Sequence, residues 1–398
     1  MMTHHQNKRI VKMMYTLFLV LCLVTSTTSH TSDGMHSTLK EDMELEKQLN
    51  LINKPPIKSI HTKSGYIVDC VDINKQPAFD HPLLKNHKLQ RKAYFGKNIS
   101  ETNVKTSPTK SPYAIEKVRC PKETVPIRRI TKDDLISGKS LFNDHVLTQT
   151  NSLSHSTHLF LIRVAGPYYG VSGTTSVYNP NISPGQTSAS YLYVENGVAG
   201  DTNKIVVGWH VSPQLYNNTA THIYSYWMSN NFKSGCYNIL CSGFVQLSRK
   251  YYLGARIIPI SIYGGTMTEM PITLIQEKTT KHWWLTVADE LVGYFPQQLF
   301  SNLASAEQVG WGGLTVTSPG SSSPPMGSGH FPDRDFVHAC YFRNISFRNE
   351  SRQDYGPEVK FTRPYNDASS KCYDIDYYGN LRGEFGYALQ FGGPGGYC

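Results

Sequence analysis

An antiparallel, all-β sandwich preceded by a smaller N-terminal segment of mixed structure is the fold that three observations predict. From about residue 160 onward, short runs of β-branched and aromatic residues recur between Gly, Pro and Asn turns, among them SASYLYV, NKIVVGWHV, ATHIYSYWM, KHWWLTVA, QVGWGGLTV and FVHACYFRNISF. Strands at this spacing without helical crossovers build sandwiches or barrels. All five tryptophans, Trp209, Trp227, Trp283, Trp284 and Trp311, fall in that region and supply a large aromatic core. The charge also changes along the chain: residues 1–150 hold 23 Lys+Arg and 14 Asp+Glu, a balance of +9, whereas residues 151–398 hold 16 of each.

Taken in order, the first thirty residues place Lys8, Arg9 and Lys12 before the apolar run Tyr15 to Val24 and the small polar stretch TSTTS. This is the pattern of a signal peptide over residues 1–30, so the mature chain is expected to be secreted and extracellular. No later segment is long and apolar enough to span a bilayer. The stretch LKEDMELEKQLNLINKPP spaces Leu39, Met43, Leu45, Leu49 and Ile52 for an amphipathic helix, stopped by Pro55 and Pro56. YIVDCVDI reads as a strand, residues 98–113 as a polar loop, and TQTNSLSHSTH (148–158) as the boundary between a prosegment over 31–150 and a body over 155–398. Within the body, PQQLFSNLASA (296–306) is the one stretch with a helical pattern.

The basic balance belongs wholly to the leader. A nucleic-acid reader carries its positive patch on the folded recognition surface, so no nucleic-acid partner is expected. Of the eight cysteines, Cys22 leaves with the signal. Local pairs Cys236 with Cys241 and Cys372 with Cys398 are expected as disulfides, with Cys340 left over and the pairing of Cys70 and Cys120 open. A zinc site is the competing reading of the Cys236–Cys241 spacing, but no second pair at ligand spacing accompanies it, and no metal or other cofactor is expected. Sequons at Asn98, Asn181, Asn217, Asn344 and Asn349 fit a glycosylated surface.

The leader NKPPIKSIHTKSGYIVDCVDINKQPAFDHPLLKNH resembles the activation peptide of plant neprosin-type proteins, and the body repeats further marks of that family: GWHVSPQLY, YSYWMSNNF, GCYNILCSGFVQ, WWL, VGYFPQQLF, VGWGG and MGSGHFP. The resemblance covers roughly residues 45–398. It implies a secreted zymogen with an all-β body and a glutamic prolyl endopeptidase chemistry carried by two glutamates across a groove. One of them takes a proton from water and the other donates one, which requires carboxyls of separated pKa. The family positions fall on Val206, before the Gly-Trp of GWHV, and on Leu314, after Trp-Gly-Gly; neither titrates.

The sequence therefore predicts a non-catalytic relative that binds extended proline-rich peptide or cell-wall glycoprotein in an aromatic groove. Its groove candidates are Gly208, Trp209, His210, Trp311, Gly312 and Gly313. The alternatives are an active peptidase with relocated acidic groups, for which Glu195, Glu290 and Glu307 are the nearest candidates, and a structural extracellular protein. No G-x-S-x-G nucleophile elbow occurs. Cys340 with His338 two residues earlier is read as a buried or spare cysteine rather than a nucleophile.

Overall fold

The structure is a computed structural model that describes residues 40–95, 114–146, 153–162, 165–197, 201–231 and 233–398. The expected signal segment and Asn98 lie outside these residues. Residues 40–52 form helix α1, ending before Pro55 as the proline pattern predicts, and the division between the chain's two compact units falls inside it, after Asn50. In the first unit, Gln48 donates to the Glu44 carboxylate one turn earlier at 3.2 Å. The second unit, residues 51–398, contains everything that follows.

Its first part is a small three-stranded sheet of β1 (Lys58–His61), β2 (Ile67–Asp72) and β4 (Thr124–Arg128), with the short strand β3 (Ala114–Ile115) between them in sequence. A disulfide joins Cys70 to Cys120, the pairing that sequence left open. Helix α2 (Lys132–Val146) follows. Its start is marked by Thr131, whose hydroxyl accepts from the Asp134 amide at 3.2 Å while the Asp134 carboxylate accepts from the Thr131 amide at 2.8 Å. This reciprocal cap satisfies two amides that a helix start leaves without partners.

Two large antiparallel sheets then pack face to face. The first runs in the order β10-β9-β8-β7-β16-β5-β19, comprising β5 (Leu153–Leu161), β7 (Thr187–Asn196), β8 (Asn203–Val211), β9 (Thr221–Ser229), β10 (Ser234–Tyr237), β16 (Gln308–Thr317) and β19 (Thr362–Asn366). The second runs β11-β15-β14-β13-β6-β17-β21-β20, comprising β6 (Gly170–Ser176), β11 (Val245–Gln246), β13 (Glu269–Gln276), β14 (Trp283–Val287), β15 (Glu290–Phe295), β17 (Cys340–Arg348), β20 (Asp374–Asn380) and β21 (Tyr387–Gly392), with β18 (Asp354–Tyr355) beside β17. Short β12 (Ile257–Ile258) pairs with β3, so the N-terminal part of this unit shares a ladder with the sandwich. The predicted all-β sandwich body with a smaller mixed N-terminal part is the observed architecture. Among the described residues no helix is long and apolar enough to cross a membrane.

Alternation decides which side chains fill the space between the sheets. On β8, Ile205, Val207, Trp209 and Val211 face inward; on β16, Val309 and Trp311 do the same, all fully or almost fully buried. The indoles of Trp209 and Trp311 donate to the carbonyls of Ser176 (2.8 Å) and Ser172 (2.9 Å) on β6, so each tryptophan ties one sheet to the other. The Cys236–Cys241 and Cys372–Cys398 disulfides are formed and Cys340 is a buried free thiol.

Two expectations are corrected. The stretch 296–306 is a single 3-10 turn, Gln297–Leu299, followed by irregular chain. The carbonyls of Asn302, Leu303, Ala304 and Ser305 accept from Asn196, Trp283, Gln276 and Asn196, and their satisfaction from outside replaces the helical ladder. The polar stretch 148–158, read as a boundary, is in part sheet, because β5 begins at Leu153 and lies between β16 and β19.

Candidate functional site

The side of the first sheet turned away from the second is built from the residues that alternate with the tryptophans. Strand register arranges them in rows across the strands. One row runs Tyr365, His158, Gly312, Tyr191, Gly208, Tyr224, from β19 to β9. The next holds Phe160, Gly310, Tyr193, Val206, Tyr226 and Tyr237, and on the other side lie Ser156, Leu314, Ala189, His210 and His222. The glycines are required by close packing. A Cβ on Gly208 would stand 1.9 Å from the Ser190 carbonyl, one on Gly312 would stand 2.2 Å from that of Thr157, and one on Gly310 would meet the Tyr193 ring at 2.5 Å. The glycine-rich strand raised in sequence thus has a tertiary cause, since its missing side chains make room for neighbouring backbone and for tyrosine rings.

Val206 and Leu314 do share this face, and both are buried, at 1 % and 9 % exposure. Val206 is level with Tyr193 and Leu314 with Ala189, so the ring of Tyr191 lies between their rows. Gly208, His210 and Gly312 are on the same face. The other three groove candidates are not: Trp209, Trp311 and Gly313 point into the core, where a Cβ on Gly313 would meet Met326 and Phe391. Two-residue alternation forces that split, because an inward Trp209 leaves only its neighbours on strand to face outward.

His210 accepts or donates one hydrogen bond with the Tyr216 hydroxyl at 2.8 Å and stacks on Tyr224 with ring centroids 4.1 Å apart. Tyr216 belongs to the four-residue helix α3 (Pro213–Tyr216) and stacks on His222 at 3.8 Å. The N-terminal part of the unit reaches this end of the face. Tyr66 donates to the Tyr216 carbonyl at 3.1 Å, receives the Asn218 amide and meets the His222 ring edge-on at 5.8 Å. Above them the Arg128 guanidinium lies 4.4 Å from the Tyr66 ring and is held by Asp134 at 2.5 Å, both nearly buried.

The electrostatics are those of a face that resists ionisation. Burial raises the phenol pKa of Tyr191, Tyr193, Tyr224 and Tyr226, so all four stay protonated. Burial and the nearby Lys204 push His158 down to about 3, leaving a neutral imidazole at ordinary pH. Two polar atoms here, the Tyr224 hydroxyl and His158 Nδ1, have no hydrogen-bond partner although they are buried. Of the acidic candidates only Glu195 is on this face, and Lys204 binds it at 2.8 Å while lying 4.1 Å from the Tyr193 ring. Burial opposes the Lys204 charge, but Glu195 and Tyr191 outweigh it and keep the ammonium. Glu290 is in the second sheet, bound to Ser248 (2.8 Å) and Lys250 (3.2 Å), and Glu307 precedes β16 with its amide donating to the Glu195 carbonyl.

Cys340 and His338 are not partners. His338 sits in the turn before β17 with Nδ1 2.7 Å from Asp333, whereas Cys340 is sealed beside Ser176 and burial pushes its thiol up to about 12. Among the described residues no group of three or more His, Cys, Asp or Glu is placed to hold a metal. Of the described sequons, Asn181, Asn217 and Asn344 are exposed and Asn349 is half-buried, although the Asn344 amide donates to the Glu384 carbonyl at 2.7 Å.

Residues 184–394, more than half of the chain, match the family described as Neprosin, and residues 59–158 match the Neprosin activation peptide. The chain belongs to the Neprosin family. Its activation peptide comprises the three-stranded sheet, α2 and the beginning of β5, and its Neprosin domain contains both Val206 and Leu314. Solved structures similar to it include scytalido-glutamic peptidase with a transition state analog inhibitor, at 9% identity and TM-score 0.36, covering 61% of this chain and 98% of that one. Another is SCP-B, a member of the Eqolisin family of peptidases, in a complex with the tripeptide Ala-Ile-His, at 9% identity and TM-score 0.31, covering 61% of this chain and 98% of that one.

Sequence reasoning missed the rings that dominate this Neprosin face. Tyr191 and Tyr193 alternate in SYLYV, and Tyr224 and Tyr226 in IYSYW, so their common face was readable. His158 stands at the end of the polar stretch 148–158, whose composition hides its place on a strand, and Phe160 follows two residues later.

Proposed function

We propose that this Neprosin-family protein is a secreted, prosegment-bearing binding protein that holds an extended proline-rich or cell-wall ligand on its tyrosine face without hydrolysing it. The observation that carries this reading is the pairing of aliphatic Val206 and Leu314 with a row of un-ionised rings on one sheet face. Glutamic-peptidase chemistry needs one carboxylate and one carboxylic acid within reach of the same carbonyl. Among the described residues the carboxylates at this face are Glu195, already held by Lys204, and Asp367, which accepts the Ser156 amide at 2.8 Å beside the Leu314 row, and neither stands at a family position. Proline-rich segments suit tyrosine surfaces because they are ordered before they bind and lose little entropy on docking. Gly208 and Gly312 carry no side chains between the rings, and the buried, unpartnered Tyr224 hydroxyl and His158 Nδ1 are the polar groups that a ligand parting the rings would meet with its carbonyls and hydroxyls.

The test has two arms. Purified protein, with the prosegment and after its removal, is incubated with proline-containing peptides from pH 3 to 7 and analysed by mass spectrometry; the expected outcome is no cleavage. Binding of the same peptides and of wall glycoproteins is then measured by fluorescence or pull-down, and Tyr191→Ala should weaken it at least tenfold. Robust cleavage by the unaltered chain would falsify the non-catalytic reading, and absence of binding by the processed protein would leave it without a ligand role.

A further inference from the structure

At the β11 edge of the second sheet, a cavity of about 650 Å³ opens where the activation peptide meets the body. Arg91 and Arg119 line it from the activation peptide, and Arg249, Lys250, Glu290 and Leu291 from the body. Four cations thus face one carboxylate. The neighbouring interactions show which charges are already answered. Arg91 is paired with Glu123 through two bonds of 3.2 and 2.6 Å, and Lys250 is paired with Glu290. Arg249 has no carboxylate; it donates twice to the Cys120 carbonyl, at 3.1 and 2.8 Å. Arg119 is exposed and makes no hydrogen bond or ion pair among the described residues. Two guanidinium charges in one cavity are therefore without a counter-charge.

We propose that this cavity is an oxyanion site for a short oligouronate, a chain of sugar rings bearing carboxylates, and that the bound ligand ties the activation peptide to the body. A guanidinium presents a planar pair of donors that matches a carboxylate edge. Leu247 and Leu291 supply an apolar wall for the C–H faces of a sugar ring. The backbone around the site already joins the two parts, since the Cys120 amide donates to the Arg249 carbonyl at 3.1 Å and that of Val118 to Lys250 at 3.3 Å. A ligand gripping Arg119 and Arg249 together adds a bridge along the same seam and favours the joined state by mass action. This proposal does not depend on what the tyrosine face binds.

The experiment is calorimetric titration of the full chain with trigalacturonate, inorganic phosphate and neutral galactose trimer at fixed ionic strength, followed by thermal unfolding at saturation. Saturable trigalacturonate binding, at least tenfold tighter than phosphate, with no response to the neutral sugar and a raised Tm, is the expected result. Arg119→Glu should lower the affinity at least tenfold while leaving the circular dichroism spectrum and unliganded Tm unchanged, because that side chain holds nothing in the fold. Arg119→Gln should fall between the two. Absence of saturable trigalacturonate binding, phosphate binding as tight or tighter, or undiminished affinity in Arg119→Glu each overturns the proposal.

Discussion

Replacing Gln76 by alanine should uncouple the activation peptide from the edge of the second sheet. Strand β11 is the last of its sheet, so on its open side Gln246 has no neighbouring strand. The side-chain amide of Gln76 takes that place: its carbonyl accepts from the Gln246 amide at 2.7 Å and its NH2 donates to the Gln246 carbonyl at 3.1 Å and to the Ile73 carbonyl at 2.8 Å. Both glutamines are 1 % exposed, so water cannot readily substitute. Truncation leaves a donor and an acceptor of the Gln246 backbone buried and unpaired. At about 1–3 kcal/mol for each such group, the loss is about 2–6 kcal/mol. Urea unfolding of the full chain should show a lower midpoint with an unchanged slope. Gln90→Ala is the control: Gln90 reaches the Glu277 carboxylate at 2.8 Å from a half-buried position and should cost under about 1 kcal/mol. Equal midpoints for Gln76→Ala and the unaltered chain would refute the claim that this side chain completes the sheet edge.

Three further outcomes follow from the same geometry. Gly208→Ala places a methyl against the Ser190 carbonyl and should destabilise by about 1–3 kcal/mol or more, read as a fall in Tm, whereas Gly264→Ala, with nothing within 4 Å of its Cβ but a φ of +65°, should cost about 1 kcal/mol. Burial holds His158 and His222 near 3 and His282 near 4, below the ordinary 6.5. The unfolded chain therefore binds more protons below pH 6.5, so stability is fully present above that pH and declines as pH falls toward 4. At pH 4.5 each of the two most buried histidines costs about 2–3 kcal/mol, and His222→Gln should flatten the pH dependence of the urea midpoint. Cys340, with its thiol pushed up to about 12, should resist thiol reagents in the native protein and react within seconds in denaturant; labelling at the native rate of a free surface thiol would contradict its burial.

The sequence by itself determined the class of fold, the order of most strands and the local disulfides, because these depend on side-chain alternation, turn residues and short loop closures. NKIVVGWHV was legible as a strand to the residue, and its alternation already put Val206, Gly208 and His210 opposite Trp209. The helix at Lys132–Val146 also left a readable mark, the reciprocal Thr131–Asp134 cap, which a search for apolar periodicity passes over. Tertiary structure alone decided three things. It chose which face of each strand is core, and so removed Trp209 and Trp311 from the candidate groove; a lone strand's alternation has no preferred side until a second sheet covers one of them. It recruited β5 from a polar stretch, because pairing between β16 and β19 compensates for weak local propensity. It also denied residues 296–306 their helix and brought Arg119 beside Arg249, since the groups that compete for those carbonyls and share that cavity are distant in sequence and meet only when the sheets close.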